Sequence, residues 1–402
     1  MLKRLWCVLA LLVVGAGAQA SGPAAPPARG SLVIIGGGLR ANNAAVWQKI
    51  VQLAGGKGAR IAVLPTAALE PAREGRLTAD ILNRYGARAF VVPLVPGPDA
   101  RRAADDPALA ATIRGAGGVF FTGGDQGRIT ATLRRADGVN TAVLDAVWTL
   151  YRRGGVIAGT SAGAAIMSTT MFSDPPLDVL PVLQNGVEEG KDIGPGLGFI
   201  GGDVFVDQHA LVRGRFARML PAMLAKGYTL GLGIDEDTAV VVGPARDATV
   251  IGYRGALVLD LAQASTDKTR PAFNLANARI SYLDSGDRFD LASRAYLPGA
   301  DKEPLRDQDR EHREPIFHGD ILANTSVVDL LEKLVDSDQQ SAVGLAFGGP
   351  ASAAPARGFE FTFTRVPDTR AYATNREDAY AIYRIRMDVR PVRLQQPLYR
   401  VE

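Results

Sequence analysis

The chain has 402 residues, and its 45 basic and 42 acidic residues give a formal net charge of +3. This balance, without a basic tract, gives no support for nucleic-acid binding, while an apolar content of 47% is ample for a packed interior. The single cysteine, Cys7, lies near the N-terminus, so the rest of the chain can form no disulfide, thiolate metal site or cysteine nucleophile.

Residues 1–20 have the pattern of a secretory signal peptide. Lys3 and Arg4 precede an apolar run, LWCVLALLVVGAG, and the small residues at 18–20 form a cleavage site. The run is too short to favour a membrane span. We therefore expect a mature chain that begins near Ser21, has no membrane anchor and is secreted, to the periplasm or the medium. An uncleaved anchor or a buried N-terminal helix is the alternative.

After a linker at residues 21–30, short apolar runs alternate with segments of helical length. The runs are SLVIIGG, ARIAVLP, ARAFVVPL, GGVFFTGG and GGVIAGT. Strands that are apolar throughout are typical of parallel sheets covered by helices on both faces, so an α/β domain is predicted over residues 31–265. Ligands of such sheets bind at the carboxyl ends of the strands.

Residues 266–402 lose this alternation. They contain charge-dense stretches, one amphipathic segment, SVVDLLEKLVD, and a strand-like segment, GFEFTFTRV. About 380 residues after the signal are long for one domain. We expect a C-terminal accessory domain or an extension of the first domain.

The first glycine cluster, IIGGGLRA, fits a dinucleotide-binding fingerprint through Gly36, Gly38 and Ala41. The acidic residue expected at the end of the next strand is missing, because that strand ends in LPTAA. A structural or active-site glycine turn is therefore favoured over a nucleotide site.

A second motif, GTSAG at residues 159–163, fits the nucleophile elbow G-x-S-x-G. A strand precedes Ser161 and a helix-compatible segment follows it, as the elbow requires. Small neighbours leave room for a sharp turn that exposes the hydroxyl. A serine that caps an ordinary helix is the alternative.

A serine nucleophile needs a base, and the chain has three histidines. His209 follows a strand-like segment, whereas His312 and His318 lie in the charge-dense C-terminal part. Either of the last two would give the order of the α/β-hydrolases, although the HG-type oxyanion motif of those enzymes is absent.

An acid should orient the imidazole, and the segment LGLGIDEDTAVVV offers Asp235, Glu236 and Asp237. Alternation along a strand sends Asp235 and Asp237 to one side and Glu236 to the other. Which side faces the site is open at this stage.

Two backbone N–H groups are needed for an oxyanion hole. Ala162 can supply one, and FFTGGDQ can supply the other through Gly123 or Gly124. Gln126 would begin the next helix and donate from its side chain, or Asp125 would simply cap that helix.

Three arginines, Arg213, Arg215 and Arg218, follow His209 closely. Arginines on a helix are usually solvated charges. Three of them beside a candidate base suggest a bidentate clamp for substrate carboxylates.

Together FTGGDQ, GTSAGA, DQHALVRGRFARML and GIDEDTA, in this order, resemble the cyanophycinase family of serine peptidases, relatives of the aspartyl dipeptidases. The resemblance covers roughly residues 31–260. It implies an α/β sandwich of the class I glutamine amidotransferase, or flavodoxin-like, type. The implied substrate is cyanophycin, a polyaspartate with arginine joined to each side-chain carboxyl, which is cut into β-Asp-Arg dipeptides.

Carried over by motif, the resemblance implies specific roles. The implied catalytic residues are Ser161 as nucleophile, His209 as base and Glu236 as orienting acid, with an oxyanion hole at Gly124 and Ala162. The implied substrate pocket consists of Gln126, Asp207, Arg213, Arg215 and Arg218. Ala210 departs from the family, which usually has an aromatic residue after the histidine, and this concerns pocket shape.

The resemblance implies neither a cofactor nor a metal, and a homodimer is a possible assembly. The signal peptide and the long C-terminal part match secreted members of the family. Two other functions stay open. One is a broader, aspartyl dipeptidase-like secreted serine peptidase, and the other is a polymer-binding protein without activity.

Overall fold

The computed structural model describes residues 30–173, 178–349, 352, 354–374 and 380–395. The predicted signal peptide, residues 1–20, and residues 21–29 of the linker lie outside the described residues. None of the described helices has the length and apolar composition that crossing a membrane requires.

Helices occupy mainly the first part of the chain. They are α1 (Ala44–Leu53), α2 (Pro71–Arg84), α3 (Ala100–Ala104), α4 (Pro107–Arg114), α5 (Gln126–Leu133), α6 (Ala142–Arg152), α7 (Ala162–Ala165), α8 (Val179–Asn185), α9 (Phe216–Lys226) and α10 (Ser326–Val335), with a 3-10 turn at Asp307–Asp309. Side chains cap several of them, as when Asp125 accepts from the N–H of Gly127 at 2.7 Å and so begins α5.

Strands run through the whole described chain. They are β1 (Ser31–Ile35), β2 (Arg60–Leu64), β3 (Arg88–Val91), β4 (Gly118–Phe121), β5 (Val156–Thr160), β6 (Thr170–Phe172), β7 (Ile193–Pro195), β8 (Val204–Gln208), β9 (Leu230–Ile234), β10 (Thr238–Val242), β11 (Asp247–Gly252), β12 (Ala256–Asp260), β13 (Leu275–Leu283), β14 (Arg288–Asp290), β15 (Tyr296–Leu297), β16 (Lys302–Pro304), β17 (Phe317–His318), β18 (Ser341–Phe347), β19 (Arg357–Thr364), β20 (Arg370–Thr374) and β21 (Tyr380–Arg393).

The first sheet has the order β15-β14-β11-β10-β1-β5-β4-β2-β3. The five strands from β1 to β3 in this order are parallel, and the other four join them in antiparallel pairs. Both faces of the parallel part are covered. Trp47 of α1 and Leu82 of α2 pack on one face with Val33, while Ile113 of α4 and Val147 of α6 belong to the core on the other. The predicted parallel α/β sandwich is confirmed.

The second sheet has the order β17-β18-β19-β21-β13-β12-β9-β8, with β20 and β16 joined beside β21. Its strands are mostly antiparallel, and its C-terminal strands alternate between buried and half-buried positions, as in β19, where Phe359, Phe361 and Phe363 are fully buried. These phenylalanines pack in one core with α9 and α10, and the rings of Phe216 and Phe361 lie 5.9 Å apart.

The C-terminal part continues both sheets. β13 pairs with β12 across the boundary predicted near residue 265, and β14 pairs with β11 of the first sheet. These pairings join residues 266–402 to strands of the first part of the chain, and the domain boundary near residue 265 stays a prediction. Composition could not reveal these pairings, because strand partners distant in the chain leave no local pattern.

The chain passes between the two sheets several times, and the passage from β9 to β10 is the one that positions the site. β8 and β9 are parallel neighbours in the second sheet, and residues 235–237 lead from β9 into β10 of the first sheet. The carboxyl ends of β5, β8 and β9 therefore meet where the sheets adjoin, which positions the residues that follow these strands.

Candidate active site

Ser161 occupies the predicted nucleophile elbow. It lies between β5 and α7 with backbone angles φ 53° and ψ −110°, and its N–H donates to the carbonyl of Ile35 at 3.0 Å. The turn leaves no room for a side chain at residue 159, because a Cβ on Gly159 would lie 2.2 Å from the Gly163 carbonyl oxygen. The unusual backbone angles of a non-glycine residue, held by this packing, present the hydroxyl to the cleft.

His209 follows β8 and is only 6% exposed. Its Nε2 lies 2.8 Å from Ser161 Oγ, and its Nδ1 lies 2.6 Å from Glu236 Oε1. An ionised carboxylate can only accept, so Nδ1 carries the proton and Nε2 is left to accept from the serine hydroxyl. The three side chains form the serine–histidine–acid arrangement that activates a nucleophile.

The environment keeps this imidazole neutral. Burial first, and then the charge of Arg213, lower the pKa of His209 from its usual value of 6.5, against the hydrogen bond to Glu236, which raises it. A histidine that is neutral near pH 7 is ready to take a proton from Ser161.

The first glycine cluster is part of this site. A Cβ on Gly37, whose φ is +115°, would lie 2.2 Å from His209 Cε1, and one on Gly38 would lie 2.9 Å from Glu236 Oε2. The His209 N–H also donates to the Gly36 carbonyl at 2.8 Å. Histidine and glutamate fill the space above the turn, which supports the active-site glycine turn over the nucleotide site.

Asp235 and Asp237 have structural partners on either side of Glu236. The fully buried Asp235 carboxylate accepts from the N–H groups of Leu211 and Val212, each at 3.1 Å, and from Arg254 Nη1 at 3.0 Å. It therefore holds the loop that follows His209.

Asp237 holds the exit of the glycine turn. Its Oδ1 accepts from the Arg40 N–H at 3.0 Å and from Asn43 Nδ2 at 2.8 Å, and its own N–H donates to the Gly37 carbonyl at 2.8 Å. Sequence reasoning missed Arg40 and Asn43. The signal available was an asparagine before a helix, directly after the glycine cluster.

The predicted oxyanion donors lie beside the serine. Ala162 is the first residue of α7, where an N–H has no acceptor within its helix. A Cβ on Gly123 would lie 3.3 Å from Ser161 Cβ, whereas one on Gly124, whose φ is +138°, would lie 2.0 Å from the Ala67 carbonyl oxygen. Gly123 is thus the glycine that lies next to the serine. Residue 124 must be glycine, because its positive φ and the nearby Ala67 carbonyl leave no room for a side chain.

The predicted substrate residues divide into two groups. Gln126, Arg213 and Arg215 line the cleft above Ser161. Asp207 and Arg218 instead form a buried ion pair, with Arg218 Nε 2.7 Å from Oδ2 and Nη2 2.8 Å from Oδ1. Neither lines the cleft, so their prediction as direct contacts in the substrate pocket is corrected. Two opposite charges that are both buried satisfy each other.

Other side chains fix the wall of the pocket. Arg215 Nη1 donates to Gln208 Oε1 at 2.6 Å, and Gln126 Nε2 donates to the Phe172 carbonyl at 2.8 Å. The guanidinium of Arg218 lies 4.1 Å from the centre of the Phe172 ring. Asp125 caps the helix as expected, whereas the side chain of Gln126 is fixed by the Phe172 carbonyl, and its role toward a substrate stays a prediction.

The alternative bases lie elsewhere. The His312 N–H donates to the Asp336 carbonyl at 3.1 Å, and His318 Nδ1 accepts from the Asp320 N–H at 3.3 Å, both in the C-terminal part. Since His209 is the histidine bonded to Ser161, the α/β-hydrolase order is not the one formed.

The cleft has a volume of about 530 Å³, within the usual range for small-ligand sites. Its lining consists of Gly38, Leu39, Trp47, Glu74, Thr78, Ile81, Phe120, Gly123, Gly124, Gln126, Thr160, Ser161, Gln208, His209, Arg213 and Arg215. Within the described ranges, no three acidic, histidine or cysteine side chains are grouped as metal ligands.

Residues 32–246 match the family model of Peptidase family S51. The chain belongs to peptidase family S51. All four motifs on which the resemblance rested lie inside the matched residues, so the predicted family and the prediction of a peptidase are confirmed.

Several cyanophycinases are similar to this S51 peptidase. That of Synechococcus elongatus is 31% identical over 270 residues, which cover 65% of this chain and 80% of the relative. That of Trichormus variabilis is 30% identical, covering 68% of this chain and 90% of the relative. That of Geminocystis herdmanii is 30% identical, covering 67% and 97%.

Among solved structures, a peptidase from an acI-B1 Actinobacterium is 24% identical, with a TM-score of 0.47, over 66% of this chain and 98% of that chain. The family match ends at residue 246, so the S51 peptidase carries most of its second sheet, from β12 onward, outside the matched region.

Proposed function

We propose that this S51 peptidase is a secreted serine-type exopeptidase that hydrolyses cyanophycin to β-Asp-Arg dipeptides through an acyl-enzyme. The observation that carries the proposal is the hydrogen-bonded chain Ser161–His209–Glu236 at the cleft that Arg213 and Arg215 line. The substrate is suggested by the relatives, which are named cyanophycinases.

The first half of the reaction forms the acyl-enzyme. Ser161 Oγ attacks the carbonyl carbon of the scissile peptide bond while its proton passes to His209 Nε2. Glu236 stabilises the imidazolium that results. The oxyanion accepts from the N–H of Ala162 and from the Gly123–Gly124 segment. The tetrahedral intermediate collapses when His209 returns the proton to the departing amine, which breaks the C–N bond.

The second half releases the product. Water attacks the ester carbonyl, His209 takes a proton from the water, and the second tetrahedral intermediate expels Ser161 Oγ, which recovers its proton from the imidazolium. Arg213 and Arg215 offer positive charge for the carboxylates of the substrate.

Dipeptide release from insoluble cyanophycin, followed by mass spectrometry, tests the activity. We expect Ser161→Ala to abolish the release, and Ser341→Ala, an exposed serine of β18, to leave it unchanged. Persistent release by Ser161→Ala would refute the mechanism. Cleavage of α-linked Asp peptides at a comparable rate would indicate the broader, aspartyl dipeptidase-like activity instead.

Secretion has a separate test. If residues 1–20 act as a signal peptide, protein recovered from the periplasm or medium begins near Ser21. Protein that keeps residues 1–20 and stays with the cells would contradict this part of the proposal.

A further inference from the structure

The side group of the proposed substrate carries a guanidinium that needs a partner in the cleft. Asp207 is the acid of the substrate pocket that the resemblance implied. Its carboxylate is 2% exposed and already pairs with two nitrogens of Arg218. An acid so buried and compensated would have to break its ion pair to meet a ligand, at a high cost in free energy. Another carboxylate is therefore required.

Glu74 of α2 is that carboxylate. Of the described residues that line the cleft, it is the only acidic one, and it is exposed. Within the part of the chain that the structure describes, its side chain takes part in no ion pair, in contrast to Glu70 one turn earlier, which lies 3.0 Å from Arg73. A carboxylate that lines a cleft and takes part in no ion pair can accept both N–H groups of a guanidinium edge.

The rest of the lining suits the same side group. The half-buried Leu39 and Ile81 provide apolar surface in the cleft, against which the methylene stem of an arginine can pack. In a β-Asp-Arg unit the α-carboxylate of arginine is free, and Arg213 lines the same cleft from the segment that follows β8. The unit and the cleft thus each carry both signs of charge.

We propose that Glu74 receives the guanidinium of the substrate arginine and determines the preference for arginine-bearing aspartate units. This assignment rests on the proposed function, since it needs a β-Asp-Arg substrate. Glu74 is a specificity-determining residue in this role, because it contacts the side group and not the scissile carbonyl.

A neutral replacement of the guanidinium gives the sharpest test. The substrates are a synthetic oligomer of β-Asp-Arg units and the same oligomer with citrulline, whose urea group is uncharged and of similar shape. Wild type should show higher kcat/KM for the arginine oligomer. Glu74→Gln should reduce the arginine-to-citrulline ratio about two- to fivefold, the range of an ion pair at an exposed carboxylate. The loss should lie in KM, as for binding that is equal in ground and transition states.

Glu70→Gln is the matched control, with the same change of charge one turn away and outside the cleft lining. It should keep the wild-type ratio. A wild-type ratio near one, or a Glu74→Gln ratio equal to that of wild type, would overturn the assignment while the proposed function stands. Folded wild type that cleaves neither oligomer would overturn the proposed function, and the assignment with it.

Discussion

The parallel strands around β5 and the C-terminal strands of the second sheet bury their residues differently. β4 and β5 are buried at almost every position, because helices cover both faces, whereas β18 and β19 alternate between buried and more exposed residues. The first sheet supplies Ser161 at the end of β5. The second supplies His209 at the end of β8, and Glu236 lies where the chain crosses between them.

This division makes the hydrogen-bonded chain a contact between sheets. Neither sheet holds a complete set of nucleophile, base and acid, so the relative position of the sheets decides whether the distances of 2.8 Å and 2.6 Å occur. Residues beyond the family match complete the second sheet, which gives the C-terminal part a role in positioning the site. The following changes test this view, from the largest expected effect to the smallest.

Removing residues 266–402 should abolish folding. The change strips β13 from β12 and removes Phe359, Phe361 and Phe363 from the core that α9 shares. Exposure of so much apolar surface leaves the second sheet without a core. We expect no cooperative thermal transition in circular dichroism and no hydrolysis. A chain ending at residue 395 is the control. A truncated chain that unfolds cooperatively would show that the sheets are independent.

Breaking the buried ion pair between Asp207 and Arg218 should have the next largest effect. Asp207→Ala removes the carboxylate that accepts two hydrogen bonds from the buried Arg218 guanidinium, which should lower the free energy of unfolding by about 3–5 kcal/mol. The control is Asp203→Ala, which breaks the ion pair between Arg246 and the 61% exposed Asp203. We expect this variant to lower the free energy of unfolding by about 0–1 kcal/mol. Urea unfolding measures both. Equal losses would contradict the structural role assigned to Asp207.

Gly37→Ala should disturb the contact between the sheets without unfolding them. The added Cβ meets His209 Cε1 at 2.2 Å and must displace the imidazole. A displacement of about 1 Å can cost roughly a hundredfold in rate. Gly56→Ala is the matched control for backbone strain, because φ is +86° at this residue and no atom lies within 4 Å of the new Cβ. If both variants lower kcat/KM equally, backbone strain and not the contact is responsible.

Arg213→Gln should have the smallest effect, a shift in the pH dependence of kcat/KM. Neutral His209 is the active base, so kcat/KM falls as the pH drops through the pKa of His209. Because this pKa is lowered, the acidic limb of the pH profile should lie below pH 6.5. Arg213→Gln removes a charge that lowers this pKa, so the limb should move to higher pH. Arg114→Gln, an exposed residue of α4, should not move it. An unmoved limb in Arg213→Gln would contradict the electrostatic assignment.

Local patterns predicted a large part of this fold. The five apolar runs correspond to β1 to β5. Four of these strands are buried almost throughout, because strands covered on both faces must be apolar, whereas the edge strand β3 is partly exposed. GTSAG became a strand, a tight turn and a helix, because only small residues fit around Ser161. Four motifs were enough to predict the family, since the order of Ser161, His209 and Glu236 is itself informative.

The sequence by itself determined which chemical groups stand at the ends of β5, β8 and β9, since backbone propensity and side-chain size act over neighbouring residues. Only the tertiary structure decided how those groups are paired. Arg218 pairs with Asp207, Gly37 makes room for His209, and residues 275–283 pair with β12. Pairing depends on distances between elements far apart in the chain, and one acid or arginine has the same local pattern whether it meets solvent, a substrate or another side chain.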